Sequence, residues 1–377
     1  MYVIGLMSGT SADAVDAALV RWPDRGEAIP FELLAYREDP LPGELRRRVH
    51  QLAAGRLPAG DVLAELAALD VELGERFAEA ALAVAKDAGL PMSELAIASH
   101  GQTVAHHPER RASLQIGDPA VIAERTRSDV VADFRPRDLA AGGEGAPLAP
   151  FFHWVAFRSD EESRVVLNLG GIANLTWLPR NCTQDEVIAF DCGPANALID
   201  GVVSLESGGV AEFDRDGRLA RAGTPHPELL AELLADPFLT RPPPKSTGRE
   251  HYGLAEAEML RARADLGLED LVATLVAFSA EAFARACRDF LPGEAPRCVV
   301  AGGGGAKNPA LLDAIAARLS TARVCPMDAL GVPADAAEAI AFSLMGRNAL
   351  LGQVNHLPRC TGAERALVLG EIVRGRP

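Results

Sequence analysis

The chain has no excess of basic charge. Across 377 residues, 52 Asp and Glu outweigh 37 Lys and Arg, for a formal net charge of −15. A nucleic-acid partner is therefore not expected, because a phosphate backbone needs a basic surface. A small anion held in a local pocket remains compatible with that balance. No apolar run approaches the ~20 residues of a membrane-spanning helix, so no membrane association is expected. No basic segment leads into an apolar stretch at the start, so a secretory signal is not expected either. Cys182, Cys192, Cys287, Cys298, Cys325 and Cys360 contain no Cys-x-x-Cys pair, and their spacing fits no zinc template. Most lie beside apolar residues, as in Arg297-Cys298-Val299-Val300, and read as buried free thiols of a reducing compartment. A cytoplasmic protein is expected.

What is present describes a globular α/β protein. Hydrophobic residues make up 48% and charged residues 24%, which suffices for a sizeable core. The length fits two domains at roughly 150 residues each. Apolar runs at Val3–Met7, Val15–Arg21 and Phe31–Arg37 predict three strands, and helical periodicity follows over Gly43–Ala54 and Asp61–Ala88. Short strands are expected at Leu95–Ser99 and Asp129–Phe134. The pattern then restarts: a strand, a small-residue turn and a strand over Val165–Leu178, then a strand at Val187–Phe190. Helices follow, including Glu269–Phe290, then a strand at Cys298–Ala301 and a helix over Asp335–Leu351. Strands alternating with helices, in two similar halves, predict an α/β fold with nucleotide bound between domains. The expected domains are 1–160 and 161–377, divided in the charged stretch Arg158–Ser163, with the last helices packing back on the first domain.

Several segments carry chemistry. Gly9-Thr10-Ser11-Ala12-Asp13-Ala14-Val15-Asp16 turns the first strand into the second with little side-chain bulk, which suits a phosphate; an ordinary hairpin tip is the alternative. Gly170-Gly171 repeats that turn in the second half. Phe190-Asp191-Cys192-Gly193-Pro194-Ala195-Asn196 places a carboxylate at a strand end, where α/β folds place catalytic groups. Asp191 could equally cap the following helix. Ser99, His100 and Gln102 open a dense set of polar side chains suited to sugar or phosphate contact, with a solvated loop as the alternative. Arg135 and Arg137 could grip a carboxylate or phosphate, or pair with Asp133 or Asp138. Gly302-Gly303-Gly304-Gly305, leading to Asn308, would let a nucleotide approach the backbone, although it matches neither Walker A nor a clean Gly-x-Gly-x-x-Gly. Asp335 and Glu338 share one face of a helix start, as site residues or as helix-capping and dipole-complementing charges. Thr240–Tyr252, with Pro242-Pro243-Pro244, reads as a functional loop.

In order along the chain, these segments closely resemble the anhydro-N-acetylmuramic acid kinases of the sugar kinase, actin and heat-shock ATPase superfamily. The first signature reads GLMSGTSADAVDAAL here. SHGQTV leads to Pro108, VVADFR spans Val130–Arg135, NLGGIANLT spans Asn168–Thr176, PKSTGRE spans Pro244–Glu250, and TGA closes at Thr361–Ala363. The resemblance covers nearly the whole chain. It implies two ribonuclease H-like, actin/hexokinase-type α/β domains flanking an ATP cleft, and a homodimer. It implies ATP-dependent, hydrolytic conversion of 1,6-anhydro-N-acetylmuramic acid, a small amino sugar, to its 6-phosphate in cell-wall recycling.

By that resemblance Gly9 to Asp16 form the ATP phosphate segment; from the glycine-rich turns themselves, Gly170, Gly171, Gly303, Gly304 and Asn308 are expected to contact the nucleotide as well. Asp191 is the catalytic aspartate and the expected general base for the attacking water. Arg135 and Glu338 bind sugar with Ser99, His100 and Gln102, and Asp13 is the protein group expected near Mg²⁺. A kinase of an ordinary sugar hydroxyl and a non-catalytic ATP-gated clamp are the alternatives. Four positions depart from the family pattern: Ala14 for Gly, Cys192 for Thr, Ala195 for Gly, and His356 for Asn. None removes the aspartate.

Overall fold

The computed structural model describes residues 1–58, 60–263 and 265–375. The chain forms two compact units, Met1–Ala156 with Ala336–Pro377, and Phe157–Asp335.

Both units are built on the same strand plan. In the first, β1 (Tyr2–Ser8), β2 (Ala14–Arg21) and β3 (Glu32–Pro40) form an antiparallel meander. β4 (Leu95–His107) pairs parallel with β1, β5 (Ala112–Ile116) folds back on β4, and β6 (Val130–Ala132) pairs parallel with β4. In the second, β7 (Arg164–Leu169), β8 (Ile172–Leu178) and β9 (Ile188–Pro194) form the meander. β10 (Cys298–Gly302) pairs parallel with β7, and β11 (Arg323–Pro326) pairs parallel with β10. Read from the meander outward, the orders β3-β2-β1-β4-β6 and β9-β8-β7-β10-β11 correspond strand for strand. This is the ribonuclease H-like plan, used twice. β12 (Glu371–Val373) extends the first sheet by pairing with β6.

The C-terminal helix Ala337–Leu350 belongs to the first unit because β1 and β4 receive it closely. A Cβ on Gly5 would lie 1.8 Å from Ala339 O, and one on Gly346 would lie 2.4 Å from Ala98 Cβ. Only glycine permits that approach. Ser343 Oγ donates to Val3 O at 2.9 Å and accepts from Trp22 Nε1 at 2.8 Å, so the helix is fixed by polar bonds as well as apolar burial. On the sheet's other face, Leu69, Leu73, Phe77 and Val84 of helix Val62–Asp87 pack into a core with Ile4, Leu6 and Leu19. In the second unit, helix Leu268–Phe290 buries Leu271, Leu275, Phe278 and Phe283 against β7 to β10 residues such as Leu167, Leu175 and Val299.

Two expectations change. Polar residues 100–107 are a strand, not a loop, because hairpin pairing with β5 satisfies their backbone. The expected strand Asp129–Phe134 shrinks to Val130–Ala132, because Asp133 turns to φ +55 and helix Phe134–Ala140 begins. No disulfide links the six cysteines; five are buried and Cys360 is partly so.

Candidate active site

In the first unit, the turn between β1 and β2 is held by its carbonyls. Gly9 O accepts from Ala12 N at 3.0 Å and from Gln102 Nε2 at 3.0 Å. Ser11 O accepts from Arg46 Nε at 3.1 Å and lies 2.9 Å from His50 Nε2. Asp13 O accepts from Leu41 N at 2.8 Å. Ala12, fully buried at φ +49, folds the turn inward. A backbone whose carbonyls are drawn away in this manner is suited to an anion on its N–H side.

Gln102 is a strut of this turn. It is buried; its Oε1 accepts from Ser8 Oγ at 2.7 Å while its Nε2 holds Gly9. Ser99 is equally buried, and its Oγ has no hydrogen-bond partner among the described residues. Asp13 is exposed, with Oδ1 accepting from Ser11 Oγ at 2.8 Å and Ala14 N at 3.1 Å. Among the described residues, no group of three or more His, Cys, Asp or Glu is placed to hold a metal. A single carboxylate such as Asp13 still suits Mg²⁺, which keeps several waters and is commonly completed by substrate phosphates. Asp16 accepts from Tyr36 Oη at 2.7 Å; burial pushes its carboxyl up to about 6, with Glu38, Glu338 and Asp13 adding to the rise.

The same unit gathers His100, Arg135, Phe342 and Glu338. Arg135 donates to His100 Nε2 from Nη2 at 2.9 Å and Nε at 3.1 Å, and from Nη1 to Gly145 O at 2.8 Å. His100 Nδ1 donates to Gly101 O at 2.9 Å, so the network assigns a neutral ring protonated at Nδ1. Burial, reinforced by Arg135, holds the imidazole down at about 3. The ring lies 4.5 Å from that of Phe342, one helical turn beyond Glu338. Burial raises the Glu338 carboxyl and Arg135 opposes the rise, although the side chain keeps solvent access. Burial also lowers Arg135 to about 10.

Gly145 is fixed from below by Asp138. Oδ2 accepts from Gly145 N at 2.8 Å, while Oδ1 accepts from Thr361 Oγ1 at 2.7 Å and lies 3.0 Å from His356 Nδ1. His356 Nε2 accepts from Leu367 N at 2.9 Å, so its proton lies on Nδ1, facing Asp138. Arg137 instead holds Val368 O at 2.7 Å. Among the described residues, neither arginine forms an ion pair with Asp133 or Asp138. Asp335 pairs with Lys307 at 2.7 Å and does not cap the helix, whose N-cap is Ala336.

In the second unit, Asp191 lies in β9, and the next helix starts only at Ala197 with Asn196 as its N-cap. The capping alternative therefore fails. Asp191 Oδ2 accepts from Thr247 N at 2.9 Å, and Oδ1 has no hydrogen bond among the described residues. Burial pushes the carboxyl up to about 6; Glu250 adds to the rise, while the Thr247 amide and Lys245 oppose it.

The β7–β8 turn repeats the pattern of the first turn. Gly170 O accepts from Asn196 N at 3.1 Å and Asn196 Nδ2 at 2.8 Å, and Gly171 O accepts from Ala195 N at 2.9 Å and Ala197 N at 3.0 Å. Arg249 reaches to within 3.8 Å of a Cβ placed on Gly171. The glycine run divides by role. A Cβ on Gly303 would meet Asn168 Oδ1 at 2.4 Å, and one on Gly305 would meet Asn196 Nδ2 at 2.7 Å, so both serve close packing. Gly304 has nothing within 4 Å and is the open position. Asn308 Oδ1 caps helix Pro309–Arg318, accepting from Ala310 N at 3.1 Å. The loop residues Lys245, Thr247 and Arg249 were not among the expected site residues; the non-periodic stretch Thr240–Tyr252 was their signal.

Two ribonuclease H-like units, each with a backbone-lined turn, define the two-domain α/β fold of the sugar-kinase class. The chain belongs to the anhydro-N-acetylmuramic acid kinase family, whose model matches residues 1–375. A relative of that name from Caldanaerobacter subterraneus subsp. tengcongensis is 42% identical over 383 residues, covering 98% of this chain and 96% of that protein. Another of the same name, from Chromobacterium violaceum, is 44% identical over 378 residues, covering 98% of each.

Proposed function

We propose that this enzyme uses ATP and water to convert 1,6-anhydro-N-acetylmuramic acid to N-acetylmuramic acid 6-phosphate and ADP, within peptidoglycan recycling. In the anhydro sugar, O6 is bonded to C1 and is not a free nucleophile. Water adds its oxygen to C1 as the C1–O6 bond breaks, and O6 takes the γ-phosphoryl group. Asp191 accepts the proton of that water. Glycoside cleavage ordinarily needs a second carboxyl to protonate the leaving oxygen. Capture of O6 by phosphorus replaces that proton, so one carboxylate suffices.

The observation that carries this reading is Asp191 itself: a half-buried carboxylate with one oxygen fixed by Thr247 N and the other unengaged. A base poised near 6 is ionised at neutral pH yet basic enough to take a proton. The Gly9–Asp16 turn of the first unit, and Gly170–Gly171 with Gly304 in the second, each have the backbone to contact ATP phosphates. Bound Mg²⁺, with Asp13 as its protein group, would neutralise phosphate charge. Arg135, oriented by His100, and Glu338 would grip the sugar. A homodimer acting in the cytoplasm is the family expectation carried to this chain.

Turnover in ¹⁸O-water tests the reaction. Solvent oxygen at C1 of the phosphorylated product is expected. Turnover of free N-acetylmuramic acid alone, with no label at C1, would overturn the reading in favour of an ordinary hydroxyl kinase.

A further inference from the structure

The PKSTGRE segment holds a lysine that faces inward. Of the 37 basic side chains in the protein, only Lys86, Lys245 and Lys307 are lysines. Lys245 is 5% exposed. Its Nζ donates to Phe238 O and Leu239 O, each at 3.1 Å. It also sits over three aromatic rings, 4.5 Å from the centroid of Phe290, 4.8 Å from Phe238 and 5.9 Å from Phe190. A cation among ring faces is attracted by their quadrupoles, and more strongly when desolvated. Two carbonyls and three rings thus hold the ammonium in place.

That anchor is coupled to the candidate base by the backbone of the same loop. Lys245 O accepts from Asp191 N at 3.1 Å, and two residues later Thr247 N donates to Asp191 Oδ2 at 2.9 Å. The loop therefore clamps Asp191 at its main chain and at its carboxylate. Across the other edge of β9, Asp191 is paired with Asn174 of β8. The charged groups around Asp191 are Lys245 and Glu250 of the loop. Those around Lys245 are Asp191 of β9, Arg241 of the loop and Asp289 of helix Leu268–Phe290; the nearby Cys192 thiol is titratable too, but burial pushes it up and keeps it neutral.

We propose that Lys245 is a positioning residue: its caged ammonium fixes the 244–250 loop so that Thr247 N–H holds the Asp191 carboxylate in register for the attacking water. Lys245 touches no reacting atom in this arrangement. The inference rests on Asp191 being the base.

The test is Lys245→Met, which keeps an unbranched chain to fill the cage but removes the ammonium and its two bonds. With native circular dichroism, it should lose about 10²-fold in kcat, the scale of a misplaced catalytic group, with KM for ATP unchanged. Freed from Thr247 N and from the lysine charge, Asp191 should titrate higher. The acid limb of kcat/KM should then move up from about 6 by roughly one pH unit. Thr247→Pro removes the N–H while leaving the cage intact. It must raise the acid limb by itself, and this decides the matter if Lys245→Met does not fold. A wild-type acid limb in Thr247→Pro, or wild-type kcat and limb in folded Lys245→Met, overturns the proposal. Asp191→Asn is measured alongside. If it is inactive while the loop variants behave as wild type, only the role of Lys245 falls. If Asp191→Asn turns over normally, the base assignment itself falls.

Discussion

Arg135 donates two hydrogen bonds to one nitrogen of His100, from Nη2 at 2.9 Å and Nε at 3.1 Å. A guanidinium held on a neutral imidazole keeps its full charge, whereas a carboxylate partner would neutralise it. Its third arm binds Gly145 O, and Gly145 N is fixed by Asp138, so the cation is braced from two sides. His100 is then an orienting acceptor, not a proton carrier.

Arg135→Lys keeps the charge and loses the fork, since one ammonium cannot reproduce the planar donors. At roughly 1.5–3 kcal/mol for a charged hydrogen bond, kcat/KM for the anhydro sugar should fall on the order of 10- to 100-fold. Steady-state kinetics with ATP saturating checks this, and an unchanged kcat/KM would remove Arg135 from the sugar site. His100 should also show no imidazole titration by NMR through neutral pH, because burial and Arg135 hold it at about 3.

The pH dependence of turnover should be set on the acid side by Asp191. A base works only when deprotonated, so activity should rise with pH through about 6, the value to which burial lifts this carboxyl. Asp191→Asn should lower kcat by about 10²–10⁴-fold and abolish that limb. Asp16, also lifted to about 6 by burial, titrates in the same window. Asp16→Asn distinguishes them, because it should leave the limb in place.

Much of this was legible in the sequence because it is local. The two strand-turn-strand repeats follow from alternating apolar runs broken by small residues, whereas the parallel pairings of β4 with β1 and β10 with β7 are long range and were not legible. Asp191 at a strand end was visible too, but not its freedom from helix capping, which depends on where the next helix starts. What periodicity could not show was long range. Gln102 holds Gly9 across 93 positions in the chain. His356 meets Asp138 only because the C-terminal helix returns to the first sheet. The glycines at 303 and 304 look alike in sequence; only the neighbours of the missing Cβ separate packing from opening.

Gln102 offers a test of the first turn that leaves its residues untouched. Gln102→Leu removes the donor to Gly9 O and the acceptor of Ser8 Oγ, although Ser8 keeps Ala14 O at 2.9 Å. Gly9 O is part-buried and keeps Ala12 N, so the loss is that of one hydrogen bond, about 0.5–1.5 kcal/mol. The turn should loosen, raising KM for ATP several-fold while KM for the sugar stays near its starting value. Equal increases in both would make Gln102 a sugar ligand instead.

Gly303 and Gly304 separate a packing role from a binding role within two adjacent residues. Gly303 has φ +76, and a Cβ there would lie 2.4 Å from Asn168 Oδ1 and 3.0 Å from Leu169 O. Gly303→Ala is thus both strained and overpacked, and should destabilise by about 1–3 kcal/mol. Gly304→Ala enters open space, since nothing lies within 4 Å of its Cβ. Its stability should stay close to wild type. If nucleotide approaches the backbone there, the added methyl should weaken ATP binding while leaving sugar affinity unchanged. Denaturant unfolding and calorimetric titration of both variants check the pair. A Gly304→Ala protein with native stability and wild-type ATP affinity would move the nucleotide away from this turn and leave the glycine run as a packing device between β10 and the β7–β8 turn.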